Sequence, residues 1–426
     1  MKNVFETREI APGVRLCSYD TDRFTTGRIS INIAVPLASS TCSATAMVPF
    51  VLSHSCEEYP SYIELNKCLA NLYGASIAPA LTKVGDTQVI RLSMTMLGNK
   101  FALDGEDVGF EAAKLLFSLV FKPNAKDGAF NSNDFEQERR LCLERIDNDK
   151  NDKRAYAKKR LIEEMFKGEP YALNPIGDRD EVENVSSAEV YDVYKSIIKT
   201  GRIQVNVAGS ANVDDIADLL LSYIDEIERE PVMLFTSVLY EAEEVKRVEE
   251  ELPVNQGKLC MGFRAGIMDP DEDYAKKRIM TDLFGGGTYS RLFSVVREKM
   301  SLCYYCSSLF MSTKGFILVQ SGVENKNAEI AIEEIQNQLK YVAESITEED
   351  LKTSKRSLLD KSKTVCDLPE TIDAWLFGRI LDEEVETPEE YADKIMAVTL
   401  EEVKEAASTV TLDTIYLLKG TEEAQS

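Results

Sequence analysis

Apolar and polar positions fall into short patterns that occur twice along this chain. Residues 28–36 (RISINIAVP) and 258–266 (KLCMGFRAG) alternate or run apolar, as strands do. A hairpin pattern follows each: extended chain, a polar turn with glycine, then a β-branched run. The first hairpin reads NLYGASIAPALTKVGDTQVIRLSM and the second SLCYYCSSLFMSTKGFILVQSGV. Leu302 lies over Leu72 and Gly315 over Gly85, a constant offset of 230 residues. Identity is low, so the repeat is one of pattern. Its constancy across three elements argues against chance.

A helical period near 3.6 follows each hairpin, at residues 110–121 and 327–342. A charged helix is expected over 133–167, with its run DNDKNDKR a solvated face or a kink. Apolar strands come late in each half, at 203–209 and 414–418, and 212–226 reads as an amphipathic helix. The acidic, glycine-free stretch 228–255 joins the halves. The expected fold is therefore α+β, with two homologous halves, each an antiparallel-rich mixed sheet packed by helices on one face. The expected domains are 1–230 and 256–426, with a linker at 231–255.

Composition narrows the function classes. A chain of 426 residues exceeds one ordinary core. A formal charge of −24 argues against nucleic acid or an anionic membrane as partner, since both require clustered cations. The nine cysteines are odd in number and lack framework spacing. The opening MKNVFETREIAPG has no apolar core, and no apolar run approaches the roughly 20 residues of a spanning helix. The expectation is a reduced, cytoplasmic, soluble protein. No G-x-S-x-G, P-loop or dinucleotide fingerprint occurs, and His54 is the single histidine. It sits in SHSCEE and reads as a surface or packed loop residue. Cys303 and Cys306 form C-x-x-C, but strand residues i and i+3 point to opposite faces, so core packing is expected.

The segment GGGTYSRLFSVVREKMSLCYY, residues 285–305, carries more. A glycine turn leads into a helix with Leu292, Phe293, Val296 and Met300 on one face, which ends near Ser301 before extended chain. This segment resembles the C-terminal-half signature of the pitrilysin, insulinase and mitochondrial processing peptidase family. The stretches SHSCEEYPSYIELNKCLANLYGA and NDKRAYAKKRLIEEMFKGEPYALNPIGD resemble the family's histidine-less bacterial members, which occur beside a zinc-bearing sister and include the elongation factor P modification-associated type. The resemblance implies the duplicated clamshell-half fold. It also implies that Arg297 and Tyr304 face a peptide substrate, and that Gly285, Gly286 and Gly287 correspond to a substrate-contacting glycine segment. A plain interhelical turn is the competing reading of those glycines.

The same resemblance places a His-x-x-Glu-His zinc motif where this chain reads AMVPF. Ala46 and Phe50 stand at the histidine positions, Pro49 at the general base, and Arg145 at the later glutamate ligand. None of these can hold zinc, so no metal and no cofactor are expected, and no catalysis in isolation. The implied role is a non-catalytic subunit that binds peptide and lends Arg297 and Tyr304 to a zinc-bearing homologous partner. A structural or peptide-binding homodimer is the alternative, and an enzyme with an unrecognised site a third.

Overall fold

The computed structural model describes residues 4–266 and 273–421. The chain forms two compact units. One comprises Met1–Asp147, Leu173–Phe235 and Thr364–Thr387; the other comprises Asn148–Ala172, Thr236–Lys363 and Pro388–Ser426.

The first unit holds β1 (Phe5–Ala11), β2 (Val14–Asp20), β3 (Thr26–Pro36), β4 (Ser76–Val84), β5 (Thr87–Leu97) and the two-residue ladder β6 (Ala125–Lys126) with β7 (Ala129–Phe130). With β8 (Arg202–Gly209), the long strands form a sheet in the order β1-β2-β8-β3-β5-β4. Pairing is antiparallel except between β2 and β8. The second unit contains β9 (Lys246–Leu252), β10 (Gly257–Arg264), β11 (Cys303–Met311), β12 (Phe316–Val323) and β13 (Thr411–Gly420), ordered β11-β12-β10-β13-β9. Again one pair, β9 with β13, is parallel. Reading the second sheet backwards from β9 reproduces the first sheet from β2, so the repeat in the sequence is a repeat of topology.

Strand alternation gives the first sheet one apolar face. Leu16, Ile31, Leu92 and Val205 lie in a single core cluster with buried residues of α1 (Cys42–Leu52), α3 (Val108–Phe121), α7 (Ser187–Thr200) and α8 (Val213–Ile224). The helices α2 (Tyr62–Asn71) and α6 (Arg179–Asn184) are more exposed. The single charged helix expected over 133–167 is two helices, α4 (Ser132–Asp147) and α5 (Lys153–Met165). The polar run between them breaks the helix because Asp and Asn side chains compete for backbone groups. Asp152 accepts from Arg154 N and Ala155 N at 2.9 and 3.0 Å and starts the second helix afresh.

In the second unit, α9 (Tyr274–Gly285), α10 (Ala328–Glu344), α11 (Glu348–Lys363), α13 (Pro388–Ala397) and α14 (Leu400–Ser408) pack together, and α9 packs against β11. Helices on one face only is the point at which expectation and structure part. Each sheet carries a helix on its other face too, drawn from the opposite sequence half. The first sheet takes α12 (Pro369–Phe377), and the second takes α5.

Candidate functional site

Two loci follow from the sequence, one in each unit. In the first unit, α1 is buried along nearly its whole length, with Ala46 and Pro49 buried and Phe50 half-buried. Helix α4 packs beside it and brings the Arg145 guanidinium to 3.9 Å from the Phe50 ring centroid. Two of the positions that the resemblance assigns to metal ligands therefore form a cation–π pair. Arg145 Nη2 also donates to Glu138 Oε2 at 3.1 Å, and His54 Nε2 lies 2.8 Å from Glu138 Oε1. Both carboxylate oxygens are thus engaged. Burial pushes the Glu138 carboxyl up, but the hydrogen bonds and charges of His54 and Arg145 outweigh it and hold the group below the usual range.

These residues do not fit a zinc ion. A methyl group, a phenyl ring and a fixed cation offer no lone pair, and the guanidinium already satisfies the local demand for positive charge. Among the described residues, no group of three or more His, Cys, Asp or Glu side chains could hold a metal. His54 is a packed residue, 8% exposed, with Glu138 as its partner. Glu138 was not singled out from the sequence. Its signal was present: it lies three residues after Phe135 and four before Cys142, on the buried stripe of an otherwise charged helix.

In the second unit, Gly285 ends α9 and Gly286 and Gly287 make the turn beyond it. None has positive φ. Gly285 is buried, and a Cβ there would stand 2.5 Å from Ser308 N, so close packing demands the glycine. Gly286 is exposed and Gly287 half-buried. The helix that follows, Leu292–Lys299, is wound as a π-helix, with Met300 N donating to Val295 O at 2.9 Å. Ser301 then adopts φ of +52°, which turns the chain sharply into β11. Arg297 stacks 4.5 Å over Phe293 and lies 3.5 Å from Glu298, with its side chain 39% exposed. Tyr304 is 68% exposed, although it sits near the start of a paired strand.

A β-bulge accounts for that exposure. Cys303 pairs with Val323 but Cys306 pairs with Ser321, so Tyr304 and Tyr305 together oppose Gly322. A Cβ on Gly322 would meet the Tyr305 ring at 2.7 Å. The extra residue also overturns the expectation that Cys303 and Cys306 face opposite ways. The register puts both on the same side of the strand instead, opposite Val323 and Ser321.

A duplicated α+β chain of this topology, in which the positions that the resemblance assigns to metal ligands hold a stacked arginine and phenylalanine, fits an inactive metallopeptidase homologue. Residues 184–358 match the family model described as the peptidase M16 inactive domain. Over all 426 residues, and the full length of both chains, the protein is 32% identical to the probable inactive metalloprotease YmfF of Bacillus subtilis (strain 168). It belongs to the peptidase M16 family. Among solved structures it is similar in fold to a conserved protein from Enterococcus faecalis V583, with TM-score 0.87, 24% identity and 98% and 99% of the two chains covered. A peptidase M16 inactive domain from Pseudomonas fluorescens has TM-score 0.78 at 18% identity, with 98% of each chain covered. Among the described residues no helix is long and apolar enough to cross a membrane.

Proposed function

We propose that this chain is the peptide-binding, non-catalytic member of a two-chain zinc peptidase in the cytoplasm. A homologous partner bearing His-x-x-Glu-His would supply the metal, and this chain would present Arg297 and Tyr304 to the bound peptide. The observation that supports the reading is that both side chains reach solvent: Tyr304 is exposed on a bulged strand and Arg297 half-exposed on the π-helix just before it. A guanidinium pinned against Phe293 is preorganised as a donor fork, and a phenol is a neutral donor. Both suit a substrate backbone and the charge that grows on a carbonyl oxygen.

The test co-purifies the chain with a zinc-bearing M16 sister from the same cell and follows cleavage of an unstructured peptide. Arg297→Ala or Tyr304→Phe should lower turnover by on the order of tenfold to a hundredfold while the two-chain assembly stays intact by size-exclusion chromatography. Undiminished turnover in both variants ends the donor role. A homodimer that binds peptide and ignores every sister protein would favour the structural alternative.

A further inference from the structure

The C-x-x-C pair is the chemistry that the proposed function leaves unused. The bulge at Tyr304 and Tyr305 puts both members on one side of β11, because Cys303 pairs with Val323 and Cys306 with Ser321, two residues apart on β12. Their surroundings differ. Cys306 is 4% exposed, whereas Cys303 is half-buried and reachable from solvent.

We propose that Cys303 and Cys306 are a redox-active dithiol, oxidised by a hydroperoxide to an intrachain disulfide that brackets Tyr304. Cys303 is the attacking sulfur and Cys306 the resolving one.

The electrostatics support this division of roles. The neighbouring Cys306 thiol, more than any other group, holds the Cys303 thiol below the usual range; burial opposes this, while the Ser321 hydroxyl and the Arg297 charge assist. Cys306 is pushed up by the neighbouring Cys303 and by burial, and so keeps its proton. Cys17, Cys42, Cys56, Cys142 and Cys260 are all buried, and burial pushes each of their thiols up. Reactivity at position 303 is therefore favoured over these five buried thiols.

The steps balance without another reactant. The Cys303 thiolate attacks the terminal oxygen of ROOH; an S–O bond forms, the O–O bond breaks, and RO⁻ leaves as the alcohol after taking a proton. Cys306 then attacks the sulfenic sulfur. An S–S bond forms, the S–O bond breaks, and hydroxide leaves as water with the Cys306 proton. Two thiols have lost two electrons, and one hydroperoxide has become alcohol and water. A dithiol reverses the change by exchange. The closed ring spans Tyr304 and Tyr305 and fixes the backbone that carries Tyr304.

The experiment treats the reduced full-length chain with stoichiometric hydrogen peroxide at neutral pH, blocks remaining thiols and maps peptides by mass. The peptide containing both residues should be unblocked and lighter by about 2 Da, and dithiothreitol should restore it. In Cys306→Ser, dimedone should trap a sulfenic acid at Cys303. In Cys303→Ser, Cys306 should stay unreacted. Arg297→Gln should slow alkylation of Cys303 several-fold. Alkylation of Cys303 no faster than that of the other cysteines, or oxidation there that stops at sulfinic acid with no disulfide, overturns the proposal. None of these readouts needs a peptidase partner, so the proposal stands or falls apart from the function above.

Discussion

The two sheets are built alike, yet the helix on the second face of each is held by different forces. On the first sheet, α12 lowers Asp373, 1% exposed, onto a polar face. Its carboxylate accepts from Arg28 Nε and Ser30 Oγ, each at 2.6 Å, from Asn206 Nδ2 at 3.0 Å, and from Arg91. Arg15 extends the network to Gln204 Oε1 and to the carbonyl of Asp382, each at 2.7 Å. On the second sheet, α5 presses Tyr156, Leu161, Ile162 and Met165 into Cys260, Phe316, Leu318, Tyr416 and Leu418. Charges reach this layer from outside α5, whose own buried side chains carry none: Glu250 accepts from Tyr156 and Tyr416, each at 2.7 Å, the buried Lys314 lies 2.8 Å from Glu169, and Arg264, 3% exposed, donates to Asp413 Oδ2 at 2.7 Å and to Met165 O at 3.2 Å. Duplication preserved the position of the covering helix and not the means of holding it. A hydrogen-bonded carboxylate fails abruptly when one member is lost, because its partners stay buried without their acceptor. An apolar layer weakens by increments of lost contact.

The sharpest way to break this contrast is Asp373→Ala, which strands two guanidinium groups, a hydroxyl and an amide. We expect a loss of about 3–5 kcal/mol. The chain's one tryptophan, Trp375, lies on α12 itself and donates to Glu386 O at 2.8 Å, so its fluorescence in a urea titration follows this unit. Next in size is Leu161→Ala on α5, where a cavity in the apolar layer should remove about 2–4 kcal/mol from the second unit. Hydrogen exchange of the β10 and β12 amides measures it. A smaller loss from Asp373→Ala than from Leu161→Ala would invert the comparison.

The duplicated hairpins were legible because glycine turns and β-branched runs are local signals, and the constant offset tied them together. The exchange of α5 and α12 between sequence halves was not legible. Nothing in KRAYAKKRLIEEM or PETIDAWLF says which sheet each helix will cover, since both stripes are short and mixed. The helix break at Asp147–Lys153 was readable as a possible kink from its Asp and Asn run, but its cap depended on Asp152 adopting an extended backbone. At the candidate site, it was plain from residue types that Ala46, Pro49, Phe50 and Arg145, the positions that the resemblance assigns to the zinc motif, carry no zinc-ligand chemistry. That Arg145 stacks on Phe50 while ion-pairing Glu138 was not, because the partners come from separate helices. The bulge in β11 escaped because strand alternation assumes an even count, and one inserted residue reverses every inference beyond it.

Titration separates the units a second time, with smaller effects. In the first unit the folded-state pKa of Glu138 lies below its unfolded value. Between those two values the unfolded chain binds more protons, so this unit gains stability as pH rises through the acid range. The contribution is complete above the unfolded value and is lost as pH falls through the folded one. In the second unit, burial lowers Lys277 from 10.5 to about 8, although its ammonium donates to Ala406 O at 2.7 Å. Here too the folded state releases its proton first, but the window is alkaline, from about 8 to 10.5. The second unit should therefore stabilise as pH climbs through that window, and at neutral pH it carries the burden of a buried cation. Subtracting the Lys277→Met profile from that of the parent chain isolates this contribution from those of other groups. We expect the variant's relative stability, read by exchange of β10 amides, to fall steadily between pH 8 and 10, whereas Glu138→Gln should alter only the acid limb of the Trp375 signal. A Lys277→Met difference that stays flat across the alkaline window would mean that the Ala406 and Thr409 hydrogen bonds, and not desolvation, decide the state of this lysine.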